Sequence, residues 1–220
     1  MSYLIKYSPD NTSLFSLLAQ EEWVVPVHLT TDTPLNQRGI YMPHSDSYVI
    51  PHIEESFFKG LSVFTKYAVC PYTILGGSRD FIYLGKNIYL GGYGALTERS
   101  AFNWIEKELN CTIIPVFLDS HQCLSDIAAL IQSDKLAFLS NTLDLDTQAK
   151  CATLKSLINI TDYNGSMDFL TTPTKFIVPK KISSPIHQTI ASRLDLDLIE
   201  LESDSVKPNL LEFNFVKLPQ

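Results

Sequence analysis

The sequence predicts an α/β fold assembled from five copies of one strand–strand–helix–strand unit. Three observations carry that reading. Amphipathic helical segments alternate with short apolar strands. The helix-to-strand junctions fall roughly 40 residues apart, the period of a supersecondary unit. The unit left incomplete at the start of the chain is completed by strand-like runs at the two chain ends. Such a ring, closed by its own termini, leaves no long edge strand exposed. The composition agrees: of 220 residues, 45% are hydrophobic and 19% charged, with Pro 12 and Gly 9, as in globular proteins. The chain is long enough to bury a sizeable core, and no stretch reads as an interdomain linker. Residues 1–220 are therefore expected to form a single domain.

The elements follow in order. The first helix is expected over Leu14–Glu22, capped by Asn11, Thr12 or Ser13 and followed by the strand Val24–Val27. The second covers Glu54–Lys66, with the strand Tyr67–Tyr72 after it. The third covers Thr97–Leu109, with Thr97 as its cap, acidic Glu98 in its first turn and the strand Thr112–Phe117 behind it. The fourth covers Asp146–Ile158, followed by Ile160–Tyr163. The fifth covers Pro185–Leu194, where Ser183-Ser184 before Pro185 reads as a helix start, followed by Leu196–Leu201. Two further strands precede each helix. Phe81–Leu84 and Ile88–Leu90 flank Gly85-Lys86-Asn87, a hairpin signal. Gly39–Met42 and Tyr48–Ile50 flank His44–Ser47, Ile127–Ile131 and Leu136–Leu139 flank Ser133-Asp134, and Met167–Thr171 and Lys175–Val178 flank Pro173. The terminal pair is Tyr3–Tyr7 with Leu210–Leu218.

Several function classes are excluded. The net charge of −7 repels a phosphate backbone, so nucleic acid is not an expected partner. A membrane-spanning helix needs about 20 apolar residues, and the longest runs, such as Thr112–Leu118, are far shorter. The chain start reaches Asp10 and Asn11 too soon for a signal peptide, which predicts a cytoplasmic protein. Cys70, Cys111, Cys123 and Cys151 form no C-x-x-C pair, and His28, His44, His52, His121 and His187 are scattered, so neither a metal nor an organic cofactor is expected.

Three segments carry a family resemblance. Gly76-Gly77-Ser78-Arg79-Asp80-Phe81-Ile82-Tyr83-Leu84-Gly85 resembles the Glu-Gly-Gly-Asp segment and following strand of the pentein superfamily, the arginine deiminases, dimethylarginine hydrolases, agmatine deiminases and amidinotransferases. Gly92-Tyr93-Gly94-Ala95-Leu96-Thr97-Glu98-Arg99-Ser100-Ala101-Phe102 is similar to its Gly-x-x-x-Arg-Thr segment. Cys123-Leu124-Ser125-Asp126 is similar to its His-Leu-Asp-Thr segment. The tail from Ile186 to Leu218 looks like the family's last helix, strand and cysteine-bearing strand. The resemblance covers about residues 36 to 220, most clearly 74 to 139. It implies a five-fold pseudosymmetric α/β propeller and chemistry at the central carbon of a guanidinium group.

That chemistry needs a thiolate nucleophile, a histidine to shuttle protons and two carboxylates to hold the planar cation. By the resemblance, the first carboxylate falls on Leu75 and the second on Ser78, with Asp80 two places on. The family's arginine falls on Leu96, its histidine on Cys123 and its C-terminal cysteine on Asn214, give or take one residue. None of these residues performs the corresponding role, and together they predict a fold retained with its reaction lost. The expected function is a non-catalytic pentein that binds a protein partner or a small ligand, or associates with its own copies. Leu75, Ser78, Asp80, Leu96, Glu212 and Asn214 would line its pocket. Glu212 and Asp80 would suit a small cationic ligand, or form a solvated rim.

Rival readings stay open. Cys123, His121 and Asp126 would serve a guanidine-modifying hydrolase or transferase with a relocated thiol. Their plainer reading is a buried cysteine beside a loop histidine. Gly91-Gly92-Tyr93-Gly94 would cradle an anion at a helix N-terminus, or simply make a tight turn. Phe57-Phe58, Tyr83, Tyr89, Tyr93 and Phe213 would belong to strands, or line a partner surface. An obligate subunit beside an active homologue is a third class.

Overall fold

The computed structural model describes residues 3–6, 24–27, 39–61, 66–119, 122–131, 134–161, 167, 169–171, 174–180, 183–201 and 216–217. In chain order they form β1 (Tyr3–Lys6), β2 (Val24–Val27), β3 (Ile40–Met42), β4 (Ser47–Pro51), α1 (Glu55–Leu61), β5 (Lys66–Cys70), β6 (Phe81–Gly85), β7 (Ile88–Tyr93), α2 (Arg99–Leu109), β8 (Thr112–Phe117), α3 (Leu124–Ile127), β9 (Ala128–Ile131), β10 (Lys135–Leu139), α4 (Leu145–Ala152), β11 (Ser156–Ile160), β12 (Leu170–Thr171), β13 (Lys175–Pro179), α5 (Pro185–Arg193), β14 (Asp197–Leu201) and β15 (Val216–Lys217). Short 3₁₀ turns cover His52–Glu54 and Gly77–Asp80.

These strands make five three-stranded sheets of one connectivity: a central strand with an antiparallel neighbour on one edge and a parallel neighbour on the other. Four are consecutive in sequence: β3-β4-β5, β6-β7-β8, β9-β10-β11 and β12-β13-β14. A parallel pair needs a crossover, and α1, α2, α4 and α5 provide it in those four. The fifth sheet joins the chain ends, with Tyr3 opposite Lys217 and Leu4 opposite Val216, while β1 runs parallel to β2. The helix expected at Leu14–Glu22 lies outside the described residues. No helix among the described residues is long and apolar enough to cross a membrane.

The chain divides into two compact units, 1–34 with 163–218 and 220, and 35–162 with 219. The second holds three of the sheets and two buried clusters. One is centred on Leu90, Leu124, Leu136 and Phe138, the other on Ile40, Val49, Tyr89 and Phe102. The first unit holds β15-β1-β2 and β12-β13-β14. Phe169 and Phe176 stack there at 4.7 Å, with His187 buried beside Phe176. Phe58 and Tyr89 are therefore core residues rather than a partner surface, and Tyr83 and Tyr93 are half-buried. The side chain of Phe57, and all of Phe213, lie outside the described residues.

Local chemistry explains most boundaries. Lys86 and Asn87 both take positive φ, 51° and 60°, the geometry of a type I′ hairpin turn. Ser184 caps α5 reciprocally with His187, and Pro185 takes the first helical position. Three expectations need correction. The second helix ends earlier than Lys66, because Lys66 already pairs with Ser47 in the β4–β5 ladder. The fourth helix is Leu145–Ala152, capped by Asp144, whose carboxylate accepts from the Thr147 N–H at 2.7 Å. It stops where the N–H groups of Leu154 and Lys155 fold back on the Cys151 carbonyl. Its last expected residues then join β10 as β11, so that strand begins at Ser156 rather than Ile160. Ile127 ends α3 instead of opening β9.

His44, in the β3–β4 turn, ties that hairpin to the next unit of the repeat. The Leu109 carbonyl only accepts, so Nε2 carries the proton toward it at 2.9 Å, and Nδ1 faces the Tyr89 hydroxyl at 2.6 Å. His44→Ala strands the hydroxyl of a buried tyrosine and a helix-terminal carbonyl. It is expected to cost about 2–3 kcal/mol in urea unfolding; an unchanged midpoint would show the bridge to be idle.

His187 gives a pH-dependent expectation. Burial pushes its imidazole below the usual value, against the opposing pull of Glu200, and Nδ1 accepts from the Ser184 N–H at 3.1 Å. The neutral form is thus the folded form. Its contribution is present above the unfolded value, near 6.5, and is lost as pH falls through the depressed folded value. The urea midpoint should drop from pH 7 to pH 5, and His187→Gln should flatten that slope.

Candidate functional site

The residues singled out by the three motifs meet at one end of the β6–β7 pair: the loops before β6 and after β7 bond each other, and the start of α3 bonds Asp80. Gly77, at φ 55°, adopts the left-handed geometry that lets the chain turn into the 3₁₀ segment Gly77–Asp80. Gly76 has no room for a side chain: a Cβ there would stand 1.8 Å from an Asp80 carboxylate oxygen. Leu75 and Thr73 are laced to the 94–98 loop. The Leu75 N–H donates to the Leu96 carbonyl at 2.8 Å, and the Glu98 N–H donates to the Thr73 carbonyl at 2.9 Å.

Asp80 is fully buried. Its Oδ2 accepts from the Thr97 hydroxyl at 2.6 Å and its Oδ1 from the Leu124 N–H at 3.2 Å, while the Cys123 thiol also donates to it. Thr97 therefore does not cap α2. Its hydroxyl serves Asp80, and Glu98 holds the cap position without a side-chain cap bond. Burial raises the Asp80 carboxyl above its usual value, with the three donors and Arg79 pulling against that rise. Arg79 turns instead to Asp126, Nη2 to Oδ1 at 3.2 Å. Asp126 closes the start of α3 by accepting from the Cys123 N–H at 2.8 Å. Two adjacent residues, Arg79 and Asp80, thus fasten one short helix.

Cys123 is buried, and desolvation, together with the charges of Asp80 and Asp126, pushes its thiol up to about 12 despite the nearby Arg79. At neutral pH it is a thiol. Ser78 faces the other way: its hydroxyl donates to the Gly39 carbonyl at 2.9 Å and accepts from the Tyr41 N–H at 3.4 Å. Leu75 is more than half exposed, at 57%, and Leu96 half-buried. The structure thus joins Leu75 to Leu96, and Asp80 to Cys123 and Asp126. His121, Glu212 and Asn214 lie outside the described residues. Sequence reasoning missed Arg79 and Thr97. The available signal was an Arg-Asp pair directly ahead of a mostly apolar strand, where an unpaired charge is costly.

Gly91-Gly92-Tyr93-Gly94 serves packing. Gly91 meets Ile113 and Phe102, Gly92 meets Leu118 and Leu124, and a Cβ on Gly94 would lie 2.4 Å from the Leu118 carbonyl. Among the described residues no group of three or more His, Cys, Asp or Glu is placed to hold a metal ion.

Removing a donor from the buried Asp80 carboxylate should be felt. Thr97→Val keeps shape and loses the charge-assisted bond, and about 2 kcal/mol is expected in urea unfolding at pH 7. Losing a donor raises the folded carboxyl further. Stability tied to a raised carboxyl is full below the unfolded value and is lost as pH rises through the folded one. The deficit should therefore be smaller at pH 4 than at pH 7; the reverse order would contradict this account of Asp80.

No protein-family model matches the sequence, and no curated protein does either. Solved structures do. The chain superposes on the arginine dihydrolase ArgZ of cyanobacteria with a TM-score of 0.75 and 13% identity, covering 100% of this chain and 40% of ArgZ. On the N-terminal domain of ArgZ alone the TM-score is 0.74, with 99% of each chain covered. The DDAH of Pseudomonas aeruginosa, a mutant complexed with citrulline, gives 0.67 at 13% identity over 91% of each chain. AgrE with ornithine and NAD+ gives 0.75 at 14% identity, over 100% of this chain and 39% of AgrE. This chain thus spans well under half the length of full ArgZ and AgrE. The chain has the mixed α/β fold, with its small sheets, of the arginine-modifying enzymes of the pentein superfamily.

Proposed function

We propose that this chain is a non-catalytic pentein-fold protein, one domain over residues 1–220, that acts by binding a protein partner or a small ligand. Its five units would close into an α/β propeller. The shared connectivity of the five sheets and the pairing of β1 with β15 support that ring.

The observation that carries the reading is the junction of Leu75 with Leu96. The resemblance assigns these positions a guanidinium-holding carboxylate and an arginine. Two apolar side chains on laced loops give a cation no acceptor and an anion no donor. The neighbouring polar groups are spent on the fold itself: Ser78 on the Gly39 carbonyl, and Asp80 on Thr97, Leu124 and Cys123. Asp80, one of the two acids expected to favour a cationic ligand, is turned inward, which supports an uncharged ligand or a polypeptide.

The second reading is a guanidine hydrolase or transferase built on Cys123, with His121 and Asp126. The approach of Cys123, Asp126 and Asp80 at the start of α3 favours it. Against it, burial and the charges of Asp80 and Asp126 raise the Cys123 thiol and disfavour the thiolate, which is the nucleophile. Purified protein is expected to release no citrulline-type product from arginine, methylated arginines, agmatine or peptidyl-arginine, as read by mass spectrometry, and Cys123→Ala to behave identically. A product or covalent adduct that disappears in Cys123→Ala would establish the enzyme instead.

A further inference from the structure

In each sheet of the 35–162 unit the central strand and its parallel neighbour run the same way. Their C-terminal ends share one end of the sheet, beside the start of the antiparallel strand. Two bonds bring the three ends together. Ser78, ahead of β6, donates to the carbonyl of Gly39, ahead of β3. Asp80, also ahead of β6, accepts from the N–H of Leu124 in α3, which leads directly into β9. The three sheets therefore present one common end, and the loops of the three motifs lie in it.

Among the described residues the exposed large apolar side chains are Ile53, Tyr72, Leu75, Phe117 and Leu145. All of them sit at this end. Ile53 follows β4, Tyr72 and Leu75 follow β5, Phe117 ends β8 and Leu145 opens the helix after β10. Exposed apolar side chains scattered singly need no explanation, but a gathering at one end does. The Phe117 ring also meets the half-buried Tyr93 ring at 5.6 Å, and Leu75 is laced to Leu96.

Each of these apolar residues has a carboxylate beside it. Glu54 adjoins Ile53, and Asp119 follows Phe117 by two places. The Glu98 carboxylate accepts from the Thr73 hydroxyl, between Tyr72 and Leu75. Asp144 and Asp146 flank Leu145. Acids at helix starts answer the helix dipole, which accounts for several of these. That role gives no reason for the bare apolar side chains among them. The cations at this end are largely engaged: Lys150 with Asp146, Arg79 with Asp126, and Arg99 over the rings of Tyr93 and Phe102. The opposite end mixes lysines into its acids: Lys66 opens β5, Lys86 sits in the β6–β7 turn and Lys135 opens β10.

We propose that this acidic and apolar end docks a basic polypeptide segment carrying apolar side chains. Charge selects the occupant. The carboxylates and the net charge of −7 attract a cationic partner and repel both an acidic one and a second copy. The apolar groups need a partner large enough to cover them, which a small cation is not. The inference rests on the protein-binding reading above and names the chemistry of its partner.

The test is fluorescence anisotropy of the full chain with a labelled amphipathic peptide of leucine and lysine. That peptide has no guanidinium, so the two readings fail separately. A citrulline-type product from the guanidine panel would overturn the non-catalytic reading, and absence of peptide binding would overturn the docking surface. The wild type is expected to bind the peptide, and to ignore versions with serine for leucine or glutamate for lysine. Phe117→Ser and Leu145→Ser should each weaken binding about tenfold with unchanged far-UV circular dichroism. If Phe117→Ser fails to fold, Leu145→Ser decides. Asp146→Lys should weaken binding more than Glu108→Lys, an exposed change in the last turn of α2 at the opposite end, although both shift the net charge alike. Equal losses from the two charge reversals, unchanged binding in the folded serine variants, or binding of the serine peptide would each overturn the proposal. So would a wild type that dimerises with concentration in sedimentation velocity while Phe117→Ser does not, which assigns the surface to a second copy.

Discussion

A fully buried carboxylate, without a direct ion pair among the described residues, organises the 35–162 unit. Transferring a charge out of water is expensive, and hydrogen bonds to the charged form must offset the cost. Asp80 obtains them from three places: a loop hydroxyl on Thr97, a helix-terminal N–H on Leu124 and a thiol on Cys123. Each donor imposes a constraint on its own element. Thr97 gives up the helix cap. α3 must begin at Leu124, so that a free N–H of its first turn points at Asp80. Residue 76 must be glycine, because the carboxylate occupies the space of a Cβ. One acid thereby ties the 76–80 turn, the 94–98 loop and α3 together.

The same network is what supports the proposed loss of a guanidine site. A carboxylate that holds a substrate must present free oxygen lone pairs to it. Here the lone pairs of Asp80 are turned inward and shared among protein donors, and the guanidinium in the neighbourhood is the protein's own Arg79, held by Asp126. Arg79, Asp80, Thr97 and Asp126 bond one another and the backbone across these loops. Burial acts on Cys123 in the same sense, since the environment that suits its thiol as a donor to Asp80 also disfavours the thiolate.

The order of elements was legible in the sequence because strands and helices differ in apolar period. The β6–β7 turn was legible because Lys86-Asn87 after Gly85 suits a type I′ hairpin. The ends of elements were less so. The segment from Ser156 to Ile158 continues an amphipathic helical pattern, and only the ladder with β10 converts it to a strand. Thr97 followed by Glu98 reads as a cap, and only a buried acid 17 residues earlier in the chain draws its hydroxyl away. Such competition is long-range, so local pattern misses it. At the site, Leu75, Leu96 and Cys123 were legible as substitutions, but the Arg79–Asp126 and Asp80–Thr97 pairings were not. Each joins loops whose approach depends on the fold.

Five sheets of one connectivity meet the same local physics, so what distinguishes them is the chemistry at their ends and edges. The β6-β7-β8 sheet concentrates its buried polar groups at the strand ends, where loops from three motifs converge and water must be replaced by protein donors. The β9-β10-β11 sheet differs in its outer strand, Ser156–Ile160, which carries neither charge nor proline. Repetition gives each unit a core of similar kind. The repeat is broken by an inward acid in one unit and by a strand without charge or proline in the next. Both departures spare the apolar residues on which the shared fold depends. Under the proposed reading, the fold tolerates loss of guanidine chemistry at the loops of one unit without having to change its core.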